Sequence, residues 1–401
     1  VVGYQARWIV SLDGPPLDGG VVVISDGRIG DVQPMGHAKV DVDLGDVIVL
    51  PGLINVHTHL DLTHAGHCRP PLGRPPTAFA DWLAQVVAYR RQQTPEQRQQ
   101  AVRDGLAACL RAGVTVVGDI VTDPQIWSVL NQAPLYGIAW YELIGLTPSR
   151  AHSCRLAAEQ WLVSPDGTRW QRGLSPHAPY SVHRNLLTAA YQLAHRHRCP
   201  ITVHLAESAE EEQLLRQHDG PIRTFLQQLG AWHVAGLIAS WQHVLHLAPR
   251  TVPCLWIHAN FLSPQPLSAN HTIVHCPRTH AAFGHPPFPL QQWLHCGVRV
   301  CLATDSLASN PDLDLLAEAR YLYSLHPQLP ADQILAMITR HAAAAVGQGD
   351  RWGTLSRGKA AHLIVVPLPR GEPSPTDPCQ RLLQSPLTVA QVMIDGIWYT
   401  L

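Results

Sequence analysis

Lysine is nearly missing from this chain. Of 401 residues only Lys39 and Lys359 are lysines, and charged residues of both signs make up 15%, below the ~25% usual for soluble domains. So little charge argues against extended disorder and for a sizeable buried or subunit-facing surface, which makes a homo-oligomer an expectation. With 29 basic against 30 acidic residues, no electrostatic footprint for nucleic acid or an anionic membrane is present. Low complexity is missing too: 34 Pro and 29 Gly stay well under the ~25–30% that marks it. No apolar run approaches the ~20 residues a membrane span needs. No charged start precedes an apolar stretch of signal length. The nine cysteines include no C-x-x-C pair, and a long chain without a cysteine framework is expected to be reduced and cytoplasmic.

What the chain does have is histidine, 24 of them, and a regular alternation. Eight short apolar runs recur: Leu50–His59, Gly113–Val121, Leu135–Gly145, Gly173–Tyr180, Pro200–Ser208, Cys254–Leu262, His271–Pro277 and Gly297–Ser306. Amphipathic, helical-looking stretches lie between them, among them Ala78–Arg91, Pro95–Ala112, Arg184–His197 and Glu210–Leu229. Alternating strand and helix implies parallel strands joined by crossovers. Eight such units predict an α/β fold of the closed (β/α)8 TIM-barrel type. An open doubly wound sheet would show a Gly-rich phosphate turn after its first strand; here that strand ends in His57-Thr58-His59.

The two ends have a different texture. Short alternating runs, Ala6–Ser11 and Gly20–Ser25 at one end and Ala361–Val366, Val389–Ile394 and Trp398–Leu401 at the other, are broken by turn pairs such as Asp26-Gly27 and Asp395-Gly396. Both ends are expected to form one small β-sandwich, from residues 1–50 and 348–401, around a barrel over 51–347. The segment Pro367–Pro386, rich in Pro and polar residues, reads as a surface loop.

Residues two apart on a strand share a face, so His57 and His59 aim two imidazoles into the C-terminal mouth, where barrel enzymes keep their chemistry. Neutral imidazole is a good ligand for zinc. The motif alone is weak, because at this histidine content chance supplies roughly one or two such pairs; His195-Arg196-His197 is one. Later strands also end in reactive groups: His177, His204 with Glu207, His258, then His275 with Arg278 and His280, and finally Asp305. Several imidazoles and two carboxylates at successive strand ends converge on one axial mouth.

These residues resemble the amidohydrolase superfamily over almost the whole chain. The resemblance is carried by Pro51-Gly52-Leu53-Ile54-Asn55-Val56-His57-Thr58-His59, the strand-end His, Glu and Asp, and the return Gly353-Thr354-Leu355-Ser356-Arg357-Gly358-Lys359-Ala360-Ala361-His362-Leu363. The family usually has Asp where His362 stands. More narrowly, Ser175–Tyr180, His204–Glu207, Cys276–Pro287 and Thr304–Asn310 resemble the branch of S-adenosylhomocysteine/methylthioadenosine deaminases and aminodeoxyfutalosine deaminases, with triazine chlorohydrolases as relatives.

The resemblance implies a small-molecule substrate and a metal site of His57, His59, His204 and Asp305. Relatives with two metals often bridge them with a carboxylated lysine, which is impossible in a barrel without lysine. One divalent ion is therefore expected: zinc first, with iron(II) or manganese(II) also suited to such ligands. It further implies deamination of an aminopurine nucleoside, with Glu207 moving the proton, Asp305 orienting the water and His258 stabilising developing charge. The bland alternative for Glu207 is a solvated helix start, because Glu210, Glu211 and Glu212 follow. His177 matches a substrate contact of that branch. Glu142 is a candidate for a ribose hydroxyl or for pairing with an Arg, and Arg278, His280 and His285 for an acidic substituent, surface ion-pairing being as good an account of Arg278. Phe79 and Trp82 lie where a lid helix would cover the ring, though helical spacing suits a core role as well. Asp61 and His64 would brace the His57–His59 loop. The alternatives are triazine dechlorination or cyclic amide hydrolysis on the same site, and a non-catalytic member of the fold.

Overall fold

The structure, a computed structural model, describes residues 1–71, 78–369 and 376–400. Eight parallel strands lie side by side in chain order: Leu53–Thr58, Val114–Val121, Tyr136–Leu143, Trp170–Pro176, Ile201–Leu205, Cys254–His258, His271–His275 and Arg299–Leu302. Their residues are buried almost throughout, as expected for strands covered on both faces, and this is why they read as continuous apolar runs. The first and eighth strands meet through a parallel bridge between Thr58 and Asp305. Asn55 stitches the same seam: its Nδ2 donates to Thr304 Oγ1 at 2.8 Å and its Oδ1 accepts from Thr304 N–H at 3.2 Å. The sheet is thereby a TIM barrel.

Three expectations are corrected. The fourth strand starts at Trp170 rather than Gly173, because Arg172 is accommodated by stacking 3.6 Å over the Trp127 ring. Glu210–Leu229 is two helices, Ala209–Gln217 and Pro221–Gln228. His218 (φ 56°) and Gly220 (φ 109°) turn the chain left-handed just before Pro221. Within Pro367–Pro386, where residues 370–375 lie outside the described part, the chain forms a helix over Pro378–Gln384 instead of only a loop. Asp377 caps it, and Cys379, Leu382 and Leu383 are buried.

Strands of the two ends form two further sheets. One uses N-terminal strands alone, in the order Arg28–Gln33, Val21–Ser25, Val2–Gln5, Val42–Asp43. The other interleaves both ends: Ile397–Thr400, Gln391–Ile394, Leu363–Pro367, Val47–Pro51, Trp8–Ile9, Leu17–Asp18. Between them lies an apolar cluster including Ile9, Val22, Ile24, Val49, Leu363 and Met393. The hairpin pairs Asp26-Gly27 and Asp395-Gly396 have positive φ at both positions, the geometry that tight hairpin turns demand, and the two tips abut each other. No helix among the described residues is long and apolar enough to cross a membrane.

Candidate active site

The first strand delivers His57 and, one residue past its end, His59. Their rings stand edge to face at 4.9 Å. The fifth strand brings His204, whose Nε2 lies 3.3 Å from His59 Nε2. The chain turns left-handed at Asp305 (φ 62°) after the eighth strand, which sets Asp305 Oδ1 3.4 Å from His57 Nε2 and 3.6 Å from His59 Nε2. Nitrogens of His57, His59 and His204 all lie within 4.8 Å of one another. The four residues placed at distant points of the sequence therefore meet at one spot.

Their supports are specific. His204 Nδ1–H donates to the His177 carbonyl at 3.1 Å, which leaves Nε2 as a free lone pair. Ser309 Oγ donates to Asp305 Oδ2 at 2.8 Å, which leaves Oδ1 for the imidazoles. Burial, reinforced by neighbouring rings, holds His59 and His204 well below the usual histidine value, so both are neutral. Burial alone would raise the Asp305 carboxyl, but the imidazoles of His57, His258 and His59 hold it below its usual range. Both ring nitrogens of His57 are buried without a hydrogen-bond partner among the described residues, a costly arrangement unless something binds there. Neutral imidazoles, one carboxylate and orphaned buried nitrogens fit a divalent cation.

Glu207 and His258 adjoin this cluster, with Glu207 Oε1 3.3 Å from His258 Nε2. The solvated-helix account of Glu207 does not hold, because its side chain is 7% exposed. The following acids divide three other tasks. Glu210 reaches across to accept the N–H groups of Phe79 and Ala80 at the start of the helix Phe79–Gln92. Glu211 accepts those of Ala206 and Glu207 and also Trp241 Nε1. Glu212 pairs with Arg216 at the surface. Burial, with Asp305 and Glu211 nearby, pushes the Glu207 carboxyl well above its usual range. Burial lowers His258 to about 3 and His177 to about 3. Ala206, His258, Ala259 and Asp305 all have positive φ without being glycine, so backbone strain is concentrated at the ends of the fifth, sixth and eighth strands.

These groups open into a cavity of about 760 Å³. His177 and Glu142 line it, as does Trp82 from the helix Phe79–Gln92. Phe79 instead packs on Trp82 and Phe283. Arg278 and His285 are not among the lining residues. Arg278 is taken up by Glu318 at 2.6 Å and Asp312 at 2.6 Å, so its expected role toward an acidic substituent is corrected to an ion-paired one. His285 stacks on Phe283, and His280 bonds to Asn260 and Pro286. His64 pairs with Asp104 rather than bracing the loop.

Arg90 was not foreseen. It chelates Asp61 at 2.9 and 3.2 Å, and lies 3.2 Å from His59 Nδ1 and 3.6 Å from Glu142 Oε2. Its signal was present, since Trp82, Val86 and Arg90 recur every fourth residue and all line the cavity.

The chain is similar to known proteins over most of its length. A 5-methylthioadenosine/S-adenosylhomocysteine deaminase of Syntrophobacter fumaroxidans is 28% identical over 380 residues, 88% of this chain and 81% of that protein. The crystal structure of Helicobacter pylori aminofutalosine deaminase in complex with methylthio-coformycin superposes with a TM-score of 0.84 at 22% identity, covering 100% of both chains. An adenosine deaminase from Xanthomonas campestris with bound zinc gives 0.78 at 23% identity, covering 99% of this chain and 92% of that one. The amidohydrolase family matches residues 48–398, which takes in every barrel strand and the strands Leu363–Pro367 and Gln391–Ile394 of the interleaved terminal sheet; the chain belongs to that family.

Proposed function

We propose that this chain is a metal-dependent hydrolytic deaminase that releases ammonia from an adenosine-like nucleoside. The observation that carries it is the meeting of three imidazoles and one carboxylate beside a buried glutamic acid, at the floor of a cavity large enough for a nucleoside. His57, His59, His204 and Asp305 would hold one divalent cation, zinc by the chemistry of the donors. When bound, such a cation acidifies a water so that the nucleophile forms near neutral pH.

The chain's own residues do the rest. Glu207, its carboxyl raised by burial, carries a proton between the water and the ring nitrogen next to the reacting carbon. That transfer lets the aromatic ring accept the attack. His258 is neutral and faces the same carboxyl; it donates to the oxygen on which charge develops. Asp305 would also accept a hydrogen bond that orients the water. Trp82, Leu83, Phe225 and Leu226 line the cavity and offer the base an apolar wall that excludes bulk water. His177, neutral, contacts the ring edge. The deaminase names of the relatives agree with this substrate class.

The experiment is an ammonia-release screen with zinc-loaded protein against adenosine, methylthioadenosine, S-adenosylhomocysteine, aminodeoxyfutalosine, guanine and melamine-type triazines. Turnover confined to the nucleosides is the expected result. Release from none of them by folded, metal-loaded protein overturns the proposal.

A further inference from the structure

One part of the cavity wall presents hydrogen-bond acceptors that no donor among the described residues meets. Glu142 lies near the end of the third strand, its side chain 1% exposed, and neither Oε1 nor Oε2 has a hydrogen-bond partner among the described residues. Arg90 Nη1 is 3.6 Å from Oε2, beyond hydrogen-bond reach, and that guanidinium is already committed to Asp61. Gln93 adds another such acceptor. Its Nε2 donates to the Asp61 carbonyl and to Tyr89 Oη, which leaves a buried Oε1 without a partner among the described residues. Buried polar atoms are nearly always paired, so orphans in a cavity mark where a ligand's groups belong.

We propose that Glu142 is the specificity-determining residue of this site and accepts hydrogen bonds from the two vicinal hydroxyls of a ribose. The proposal rests on the deaminase reading above and adds which half of the substrate is read, and by what. A carboxylate offers two acceptor oxygens side by side, and a cis-diol offers two donors at matching spacing. Glu142, His177 and His204 present atoms within 4.8 Å of one another, so a group held by Glu142 sits next to a group held over the histidine cluster. The acceptors of Glu142 and Gln93 suit a hydroxyl-bearing sugar, as the apolar wall of Trp82 and Phe225 suits a flat base. Burial raises Glu142 to about 7, and donors from a ligand stabilise its ionised form.

The test compares adenosine, 2′-deoxyadenosine and 3′-deoxyadenosine as substrates of the zinc-loaded wild type and of Glu142→Gln, with melting profiles to verify folding. The wild type should show a KM lower by roughly tenfold or more for adenosine than for either deoxy analogue, the effect of losing a hydrogen bond to a charged group. In Glu142→Gln the adenosine KM should rise by about as much, with kcat moving far less, so that the preference for the diol disappears. Equal KM values for all three in the wild type, or a diol preference that survives in folded Glu142→Gln, overturn the proposal. Should that variant not fold, the wild-type series alone decides. Absence of ammonia from every nucleoside removes the deaminase reading instead. Calorimetric titration of the same three ligands then still decides Glu142: tighter binding of adenosine supports it, and equal affinities sink it.

Discussion

The carbonyl of His177 accepts two hydrogen bonds from His204, one from its backbone N–H at 2.9 Å and one from its ring Nδ1–H at 3.1 Å. One backbone atom of the fourth strand's end thus fixes both the position and the tautomer of a histidine on the fifth. Imidazoles held this way are poised to bind through the opposite nitrogen. Elemental analysis of purified protein should give about one divalent ion per chain. His57→Ala, which removes the ring whose two nitrogens are orphaned, should bring that content close to zero while the fold persists. A reproducible content near two in the wild type, or full metal retention in the variant, would contradict the ligand set.

Glu207→Gln should retain the metal and bind substrate, yet lose roughly 10²–10⁴-fold in kcat, the usual contribution of a positioned acid–base group. Gln has nearly the same shape but cannot carry the proton. Steady-state kinetics alongside metal analysis checks this; near wild-type turnover would take Glu207 out of the mechanism.

Asn260 ties the proton carrier to the strained turn beside it. Its Nδ2 donates to the Glu207 carbonyl at 3.0 Å, and its Oδ1 lies 2.9 Å from His280 Nδ1. Asn260→Ala should lower kcat by roughly tenfold with little change in metal content or KM, since it loosens Glu207 and the His258–Ala259 turn without removing either. A variant with unchanged kcat would show that this bracing is irrelevant to turnover.

Asp395 joins the C-terminal hairpin to the barrel through the Tyr136 hydroxyl at 2.7 Å and also lies 3.2 Å from Nε2 of His362, just ahead of the terminal-sheet strand Leu363–Pro367. Burial opposes its ionisation, but His362 and Tyr136 win and lower its carboxyl from 3.8 to about 2. A depressed folded pKa stabilises the native state above the unfolded value, and that contribution is lost as pH falls through the folded one. Asp395→Asn keeps a residue that tolerates the left-handed turn while removing the charge. Its melting temperature should lie below that of the wild type at pH 7, and the gap should narrow between pH 4 and pH 2. A constant gap across that range would assign the effect to shape rather than charge.

Much of this was visible in the amino-acid order, for physical reasons. Strands buried on both faces must be apolar throughout, so all eight announced themselves, and chemistry at their C-terminal ends stood out against that background. What stayed hidden depends on partners far along the chain. The job of Arg90 is set by Asp61 and Glu142 together, and that of Arg278 by Glu318, which nothing near either arginine reveals. The start of the fourth strand was missed because Arg172 is polar by type yet buried by stacking on Trp127. The helix at Pro378 was missed although Asp377 and Pro378 form a helix-start signal, because the Pro-rich surroundings suggested a loop.

The seam between the first and eighth strands runs through the histidine cluster itself. Asp305 N–H donates to the His57 carbonyl at 3.2 Å, so two of the four converging residues become neighbours only when the last strand docks beside the first. A nascent or truncated chain with seven strands in place has no complete pocket for any occupant that bridges them. Uptake of such an occupant during refolding therefore times ring closure, and a chain cut ahead of Arg299 should leave it in solution.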